Sequence, residues 1–600
     1  MTIAEHFNDA FLGVDQSASG QRWVDALDWK QKGQAEAIEE LWGLSGIVSR
    51  VLAARDVMPE EAEAFLSPTL RELLVDPSRL TDLDQSCARL ATAIEQKEQV
   101  AIFGDYDVDG AASAALLGRF FQHHGVPFEI YIPDRIFEGY GPNELAISEL
   151  KDRGASLLIT VDCGSTSHTS LAHAQKLGLD CVVIDHHQVD AELPPAAALV
   201  NPNRHDDLSG QGHLCAAGVV FLVLVGLNRH LRASASIAGL PFDLMAVLDL
   251  VALATVCDIV PLKGVNRAFV LRGLETLEKS RHPGLRTLIR AARLDGPVRP
   301  WHFGFILGPR INAGGRIGDA ALGARLLMTM DAGEAEAIAG QLDSLNRERQ
   351  VMEIRMLEEA VSEAEREIGD GPGPAVLVTQ SDTWHAGIVG LLASRLKDRF
   401  HRPAFAITFD DRNIGTGSGR SISGVDLGAA VRSAVENEIL VKGGGHAMAA
   451  GLTVRRDKLG AFRAHVEETC QRSVEANASR RLKIDAAVSA SAANLGLLRD
   501  LARCGPFGAG HRAPVFAFPS HRLMNASVVG GNHIRVVLQA QSGATVEGIS
   551  FRSVDTPLGD FLLNARGEMI HVVGTLETNF YRGSERVQLR VMDVAHSAPT

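Results

Sequence analysis

Acidic and histidine side chains recur at the ends of strand-like segments in five short stretches of this 600-residue chain. They are GDYDVDG (104–110), VDCG (161–164), DHH (185–187), the pair Cys257-Asp258 and the distant GGGH (443–446). Hard divalent cations prefer carboxylates, and imidazole adds affinity for softer ions such as manganese. A pair of metals held this way suits phosphodiester hydrolysis, one activating water and both clamping the phosphate. Alternation along an extended chain starts Asp105, Asp107 and Asp109 on one side, and the turn at Gly110 fans them out. The same D-x-D-x-D-G opens a calcium-binding EF-hand loop, but that loop needs a Glu at its twelfth position and flanking helices. The twelfth position here is Leu116, and a strand-like run precedes. Adjacent side chains on an extended segment diverge, so one of His186 and His187 faces a metal and the other faces substrate or supports a ligand. Asp162 and Asp258 alone would be ordinary loop acids; their weight comes from their company.

A second set of residues suits anions. The glycines of GGGHAMAAG (443–451), Gly444 and Gly445 ahead of His446, open a helix-like run that offers backbone N–H groups and a favourable dipole. Ser418-Gly419-Arg420-Ser421 adds a cation and two hydroxyls suited to phosphate. His385, in WHAGIVG (384–390), supplies another polar contact. Arg310, Asn312 and Arg316 share a glycine-rich segment that reads as a loop contacting a phosphate backbone.

Positioning such groups needs an α/β frame. Residues 1–85 read as a helical lead-in without chemistry. In 86–330, apolar or β-branched runs at 100–103, 128–132, 157–161 and 181–184 alternate with helical pattern, which predicts a mostly parallel sheet. Ligands then sit beyond the carboxyl ends of the strands, where Asp105, Asp162 and Asp185 fall. Asp258 follows an apolar run, 248–256, that is either a helix or a buried segment. Residues 331–370 read as one long bridging helix, with Ile338, Leu342, Leu345, Met352 and Met356 at helical spacing and a Gly/Pro stop after it. A smaller α/β domain is expected over 371–455. A connector and an OB-like β-barrel are expected over 456–600, with strands near 515–518, 534–539, 546–551, 570–576 and 587–591. Phe516, Phe518 and Phe551 read mostly as barrel core, and Phe580-Tyr581-Arg582 as the best candidate for stacking on bases.

Composition bounds the rest. Apolar residues form 46% and charged residues 22% of the chain, and the length calls for several domains. The apolar stretch 218–225 is too short to span a membrane, and the N-terminus lacks the pattern of a signal peptide. Seven scattered cysteines without a Cys-x-x-Cys pair point to reduced thiols in the cytoplasm. The net charge of −14 confines any nucleic-acid contact to a local basic groove.

The order GDYDVDG, VDCG, DHH, CDIVPL (257–262) and GGGHAMAAG resembles the DHH–DHHA1 phosphoesterase superfamily. LCAAGVVF (214–221), PRINAGGR (309–316), LNRERQ (345–350), WHAGIVG and SGRS narrow the likeness to its single-stranded-DNA-specific exonucleases. The resemblance implies a DHH domain, a bridging helix, a DHHA1 domain and an OB-fold. It implies a 5′-to-3′ exonuclease of DNA repair and recombination that releases 5′-mononucleotides with two Mn2+ or Mg2+ ions. Asp105, Asp107, Asp109, Asp162, His186 and Asp258 would hold the ions, Asp162 bridging both. His187 would stand beside the scissile phosphate and Asp185 would orient the histidines. His446, Arg420 and Ser418 would meet the DNA, with Arg310 and Arg316 closing the path. A monomer is expected, with no membrane association and with a helicase and a single-strand-binding protein as partners. His511, in GPFGAGHRAP (505–514), departs from the asparagine common in the family. Rival readings are a phosphodiesterase for short oligoribonucleotides, which needs no barrel, and a non-catalytic single-strand-binding scaffold, which needs no acids.

Overall fold

The computed structural model describes residues 10–135, 137–234, 240–280, 282–369, 371–476, 481–581 and 584–597. The chain forms two compact units, one of Val75–Val260 with Arg272–Ala478, the other of Met1–Leu74, Pro261–Leu271 and Ser479–Thr600.

The first unit opens with five parallel strands in the spatial order Phe128–Tyr131, Val100–Gly104, Leu157–Val161, Asp180–Ile184, Ala198–Val200. Val100–Gly104 and Leu157–Val161 are buried at every position, which explains their uninterrupted apolar sequence. Gly104 stands opposite Val161, and Val161 opposite Ile184. Asp105, Asp162 and Asp185 therefore each leave one of three aligned strand ends. The chain runs outward in both directions from between Val100–Gly104 and Leu157–Val161, and such a switch point opens a ligand crevice. Helices Glu144–Asp152 and His168–Lys176 cover one face. Val108–His123 and Ala216–Ala233 also pack against the strands. Ala216–Ala233 is longer than the 218–225 stretch suggested. With a mean hydropathy of 1.3 it could cross a membrane by length and composition, but most of it is buried inside this domain.

The helix Ala332–Ile368 bridges to a second sheet. Its first half packs on Pro283–Ala291 and Gly308–Ile317. Its second half sets Met356, Ala360 and Ala364 in a core with Leu377, Trp384, Ile388 and Leu392. The second sheet runs Lys442–His446, Ala449–Arg455, Ile414–Arg420, Ala404–Phe409, Leu377–Ser381, with only the last pair parallel. Helix Leu459–Ala476 sets Phe462, Val466 and Cys470 in a separate core with Phe405, Ile407, Val431 and Leu452.

Two local expectations are corrected here. The 310–316 segment is part of a helix, Gly308–Ile317, because Gly314 and Gly315 serve close packing and not turning; a Cβ on Gly315 would lie 2.7 Å from the Tyr106 carbonyl oxygen. The GGGH segment is the strand Lys442–His446, hairpinned onto Ala449–Arg455, and opens no helix. An anion there meets strand backbone and not a helix dipole.

The second unit is the β-barrel. Phe516–Val529, His533–Gln539, Thr545–Ser550, Ser584–His596 and Met569–Tyr581 pair in that order, and Phe516–Val529 closes onto Met569–Tyr581. The N-terminal segment belongs to it. Arg22–Asp25 pairs with Arg481–Ile484, and the buried Trp23 indole donates to Asp593 at 2.9 Å. Val51 and Leu52 share a core with Phe516 and Phe518. His511 is buried, stacked on Phe507, with Nε2 2.8 Å from the Cys504 carbonyl oxygen. Phe551 is instead 45% exposed, with the Arg590 guanidinium 5.4 Å from its ring centroid. Arg582 lies outside the described residues, as do the side chains of Phe580 and Tyr581.

Candidate metal centre

The first acidic motif does not stay extended. Helix Val108–His123 begins inside it, capped by Asp107, whose Oδ1 accepts from the N–H groups of Asp109 (2.8 Å) and Gly110 (3.2 Å). Gly110 permits this fold-back, since a Cβ there would sit 2.3 Å from the Asp105 carbonyl oxygen. The helix start fans the acids out, as the turn at Gly110 suggested, and Asp109 joins a different donor set from Asp105 and Asp107. Asp109 is held instead by the start of helix Ala216–Ala233, accepting from the N–H groups of Ala216 (2.6 Å) and Ala217 (2.8 Å). Free N–H groups at a helix start and its dipole favour such a carboxylate.

Asp162 follows its strand with a φ of 60°, a left-handed conformation that aspartate tolerates better than most residues. Asp258 caps the C-terminus of helix Leu248–Cys257. His186 Nε2 lies 3.3 Å from Asp162 Oδ1, 3.6 Å from Asp258 Oδ2 and 3.8 Å from Asp109 Oδ2. Donor atoms gather in three sets, each within 4.8 Å: Asp105, Asp107 and Asp162; Asp109, His186 and Asp258; Asp162, His186 and His187. Asp162 recurs in two of them, between the other acids and the histidines.

Asp185 belongs to none of these sets. Its Oδ1 accepts from the His186 N–H (2.7 Å) and lies 2.8 Å from His187 Nδ1, while Oδ2 accepts from the Ser165 N–H (3.2 Å). Asn201 and Asn203 tie the histidine carbonyl oxygens. Asp185 thus holds the His187 ring and the His186 backbone and is not in any donor set.

The electrostatics match a cation site. Burial, reinforced by neighbouring carboxylates, holds Asp105, Asp162 and Asp258 well above the ordinary carboxylate range. Burial and Asp107 push Asp109 up to about 7, against the pull of its two backbone donors. Burial and the charge of His187 lower His186 to about 4, so it is neutral and free to ligate. For His187 burial is outweighed by the hydrogen bond to Asp185, which raises it to about 9. Burial also works against ionised Asp185, but His187 holds its carboxyl below the usual range. Asp105 Oδ1, Asp162 Oδ1, His186 Nε2 and Asp258 Oδ2 are buried without a hydrogen-bond partner. Orphaned polar atoms that converge are what a pair of hard cations would satisfy. The residues present fit Mn2+ or Mg2+.

The anion-binding candidates divide. Arg316 is half-buried, donates to the Gly387 carbonyl oxygen (3.0 Å), and is lowered to about 10 by desolvation and by Arg135, Arg349 and Arg420 nearby. Arg420 donates to Ser418 Oγ (3.1 Å), and burial followed by Arg135 lowers it too. Among the described residues no carboxylate pairs with Arg316 or Arg420, which leaves their charge for a ligand. Asn312 has a buried, unpartnered Oδ1, and His385 Nδ1 accepts from the Gly387 N–H. Gly444, Gly445 and His446 lie on the edge strand, Gly444 half-buried and the other two exposed. Two candidates already have internal partners: Arg310 pairs with Asp343 of the bridging helix (3.0 Å), and the Ser421 hydroxyl donates to the Val425 carbonyl oxygen (2.6 Å) inside its own loop. The sequence reading missed Arg135, which stacks 5.0 Å over the Tyr106 ring, and Tyr140, 3.2 Å from His187. Neither stands in an acid or glycine pattern that would signal it.

Known families match this geometry. The DHH family, N-terminal domain, matches residues 99–255, the DHHA1 domain residues 373–472, and the RecJ OB domain residues 484–593. The single-stranded-DNA-specific exonuclease RecJ of Dickeya dadantii is 34% identical over 91% of this chain and 96% of its own. Among solved structures, RecJ of Thermus thermophilus in complex with Mn2+ superposes with a TM-score of 0.77 at 28% identity, covering 94% of this chain and 78% of that one. The same protein in complex with Mg2+ gives 0.72 at 27% identity over 95% and 77%.

Proposed function

The chain belongs to the RecJ family of single-stranded-DNA-specific exonucleases, and we propose that it digests single strands from the 5′ end into 5′-mononucleotides. It is a metal-dependent phosphodiesterase. One observation carries the reading: the buried Asp162 belongs both to a set of acids and to a set with the two histidines, and Asp105 Oδ1, Asp162 Oδ1, His186 Nε2 and Asp258 Oδ2 are buried without a hydrogen-bond partner.

Asp105, Asp107 and Asp162 would hold one ion, and Asp109, His186 and Asp258 the other. When bound, Mn2+ or Mg2+ supplies Lewis-acid charge that polarises water and the phosphate. The protein's own groups do the rest. Asp185 fixes the His187 ring, which stands at the mouth of the acids and meets the scissile phosphate. Arg316, Arg420 and Ser418 receive the strand's phosphates, with Asn312, His385 and the 444–446 edge as polar contacts along the path. Arg310 and Ser421 support the frame. The barrel adds affinity for the strand through charge and stacking, so binding weakens with salt. A helicase that supplies unwound DNA and a single-strand-binding protein that coats it are the partners this substrate calls for. A monomer in the cytoplasm suffices.

Incubating 5′-labelled single strands, duplexes and short RNA with Mn2+, using the wild type and Asp162→Ala, tests the reading. Only wild type on single strands should yield mononucleotides. Cleavage by the variant, or equal cutting of duplex, would overturn it; preference for short RNA would favour the oligoribonucleotide rival.

A further inference from the structure

Tyr140 belongs to none of the motifs that carry the site, yet its hydroxyl reaches the site. It donates to the Asp162 carbonyl oxygen at 3.0 Å and lies 3.2 Å from His187 Nδ1. A phenol has one proton to give. With that proton on Asp162, the Tyr140 oxygen accepts from His187. The other neighbour of Nδ1 is the Asp185 carboxylate at 2.8 Å, also an acceptor. The ring itself crosses His187 edge to face, at 5.8 Å and 72°, while His186 lies 4.5 Å from the same imidazole.

The turn that delivers Tyr140 is built for it. Gly139 (φ 87°) and Gly141 (φ 79°) flank it in the left-handed region, where glycine alone is comfortable. The Glu138 carboxylate accepts from the Tyr131 hydroxyl (2.8 Å), the Asn143 amide (3.0 Å) and the Asp134 N–H (2.8 Å), fastening the turn to the sheet edge. Yet Tyr140 is 52% exposed, so core packing does not explain the placement.

We propose that Tyr140 is a positioning residue for the hydrolysis: its hydroxyl and the Asp185 carboxylate hold His187 Nδ1 between them and fix the ring's orientation beside the scissile phosphate. This rests on the reading of His187 as the group beside that phosphate. The hydroxyl ties the ring to the backbone of Asp162, so the imidazole and the shared carboxylate keep one mutual geometry. Asp185 holds the same nitrogen from the other side, and two acceptors leave the ring no reason to flip.

Two measurements test it. In the full chain with Mg2+ and 15N-labelled histidine, Tyr140→Phe should move the His187 ring resonances and leave histidines remote from it in place. Unmoved resonances would overturn the proposal, whether or not the protein cleaves DNA. In kinetics with Mn2+, Tyr140→Phe should lower kcat about five- to tenfold and change KM less than about twofold, the scale of one or two lost hydrogen bonds. On a His187→Ala background the same change should have no further effect. An unchanged kcat, an equal loss on both backgrounds, or a loss that tracks a lowered melting temperature would each count against it. Failure of the wild type on single strands would instead sink the functional reading, with the resonances still deciding the Tyr140–His187 link.

Discussion

Asp162 Oδ1 and His186 Nε2 lie 3.3 Å apart, both buried, and neither has a hydrogen-bond partner. Two buried donor atoms this close and without other partners are what a cation between them would satisfy. Substituting Asp162→Asn keeps the shape and removes the charge. It should cut activity by about a thousandfold or more, since metal-borne charge stabilisation is worth several kcal/mol. Calorimetric titration with Mn2+ should show at least one site lost.

The acids also set a pH dependence of stability. Burial raises Asp105, Asp162 and Asp258 above the ordinary carboxylate value, and Asp109 to about 7. Between an unfolded value of about 4 and these raised values, the metal-free native state holds more protons than the unfolded chain. Its stability is therefore greatest at low pH as far as these groups are concerned, and falls as pH rises toward and past about 7. Mn2+ replaces those protons. The rise in melting temperature on adding Mn2+ should be larger at pH 8 than at pH 6, and metal uptake at pH 6 should release protons. A rise independent of pH would contradict this.

Asp185→Asn should release His187. The carboxylate hydrogen bond raises that imidazole to about 9. With an amide in its place, the His187 titration midpoint should fall toward the ordinary value near 6.5 in an NMR titration of the metal-free protein. Activity should drop by about a hundredfold, the scale of a misoriented proton-handling group.

Arg420 and Arg310 should separate by assay. Arg420 has no carboxylate partner among the described residues, whereas Arg310 is paired with Asp343 at 3.0 Å. Arg420→Ala should weaken single-strand binding and flatten its salt dependence by about 0.7 in log–log slope, one phosphate contact. Arg310→Ala should leave that slope unchanged and lower the melting temperature.

The barrel aromatics divide in the same way. Phe518 is fully buried and Phe551 is 45% exposed. Phe551→Ala should cost about 1–3 kcal/mol of strand affinity with little change in unfolding. Phe518→Ala should destabilise the protein by about 3–5 kcal/mol. Fluorescence anisotropy and thermal melts read the two effects apart.

Much of the frame was legible because it is local. Val100–Gly104 and Leu157–Val161 are buried on both faces, so their residues had to be apolar throughout. The strand Ile414–Arg420 was not legible, because three of its seven residues are glycines, which read as loop. The reason for Gly419 lies across the sheet: a Cβ there would sit 2.3 Å from the Phe405 ring. The pairing of Arg310 with Asp343 was not legible, because only helix Ala332–Ile368 brings Asp343 beside it. Tyr140 carried no signal, since its partners lie 22 and 47 residues away.

By itself the sequence determined which donors exist and that Asp105, Asp162 and Asp185 leave the ends of strands, since both follow from residue type and short-range pattern. The tertiary structure decided which donors lie together. Alternation assumes an extended chain, but Asp107 caps a helix, and from Val108 onward each residue turns about a helix axis. Asp109 is thereby taken from its sequence neighbours and held by the N–H groups of Ala216 and Ala217, 107 and 108 residues away. It faces His186 and Asp258, leaving Asp162 between the two sets.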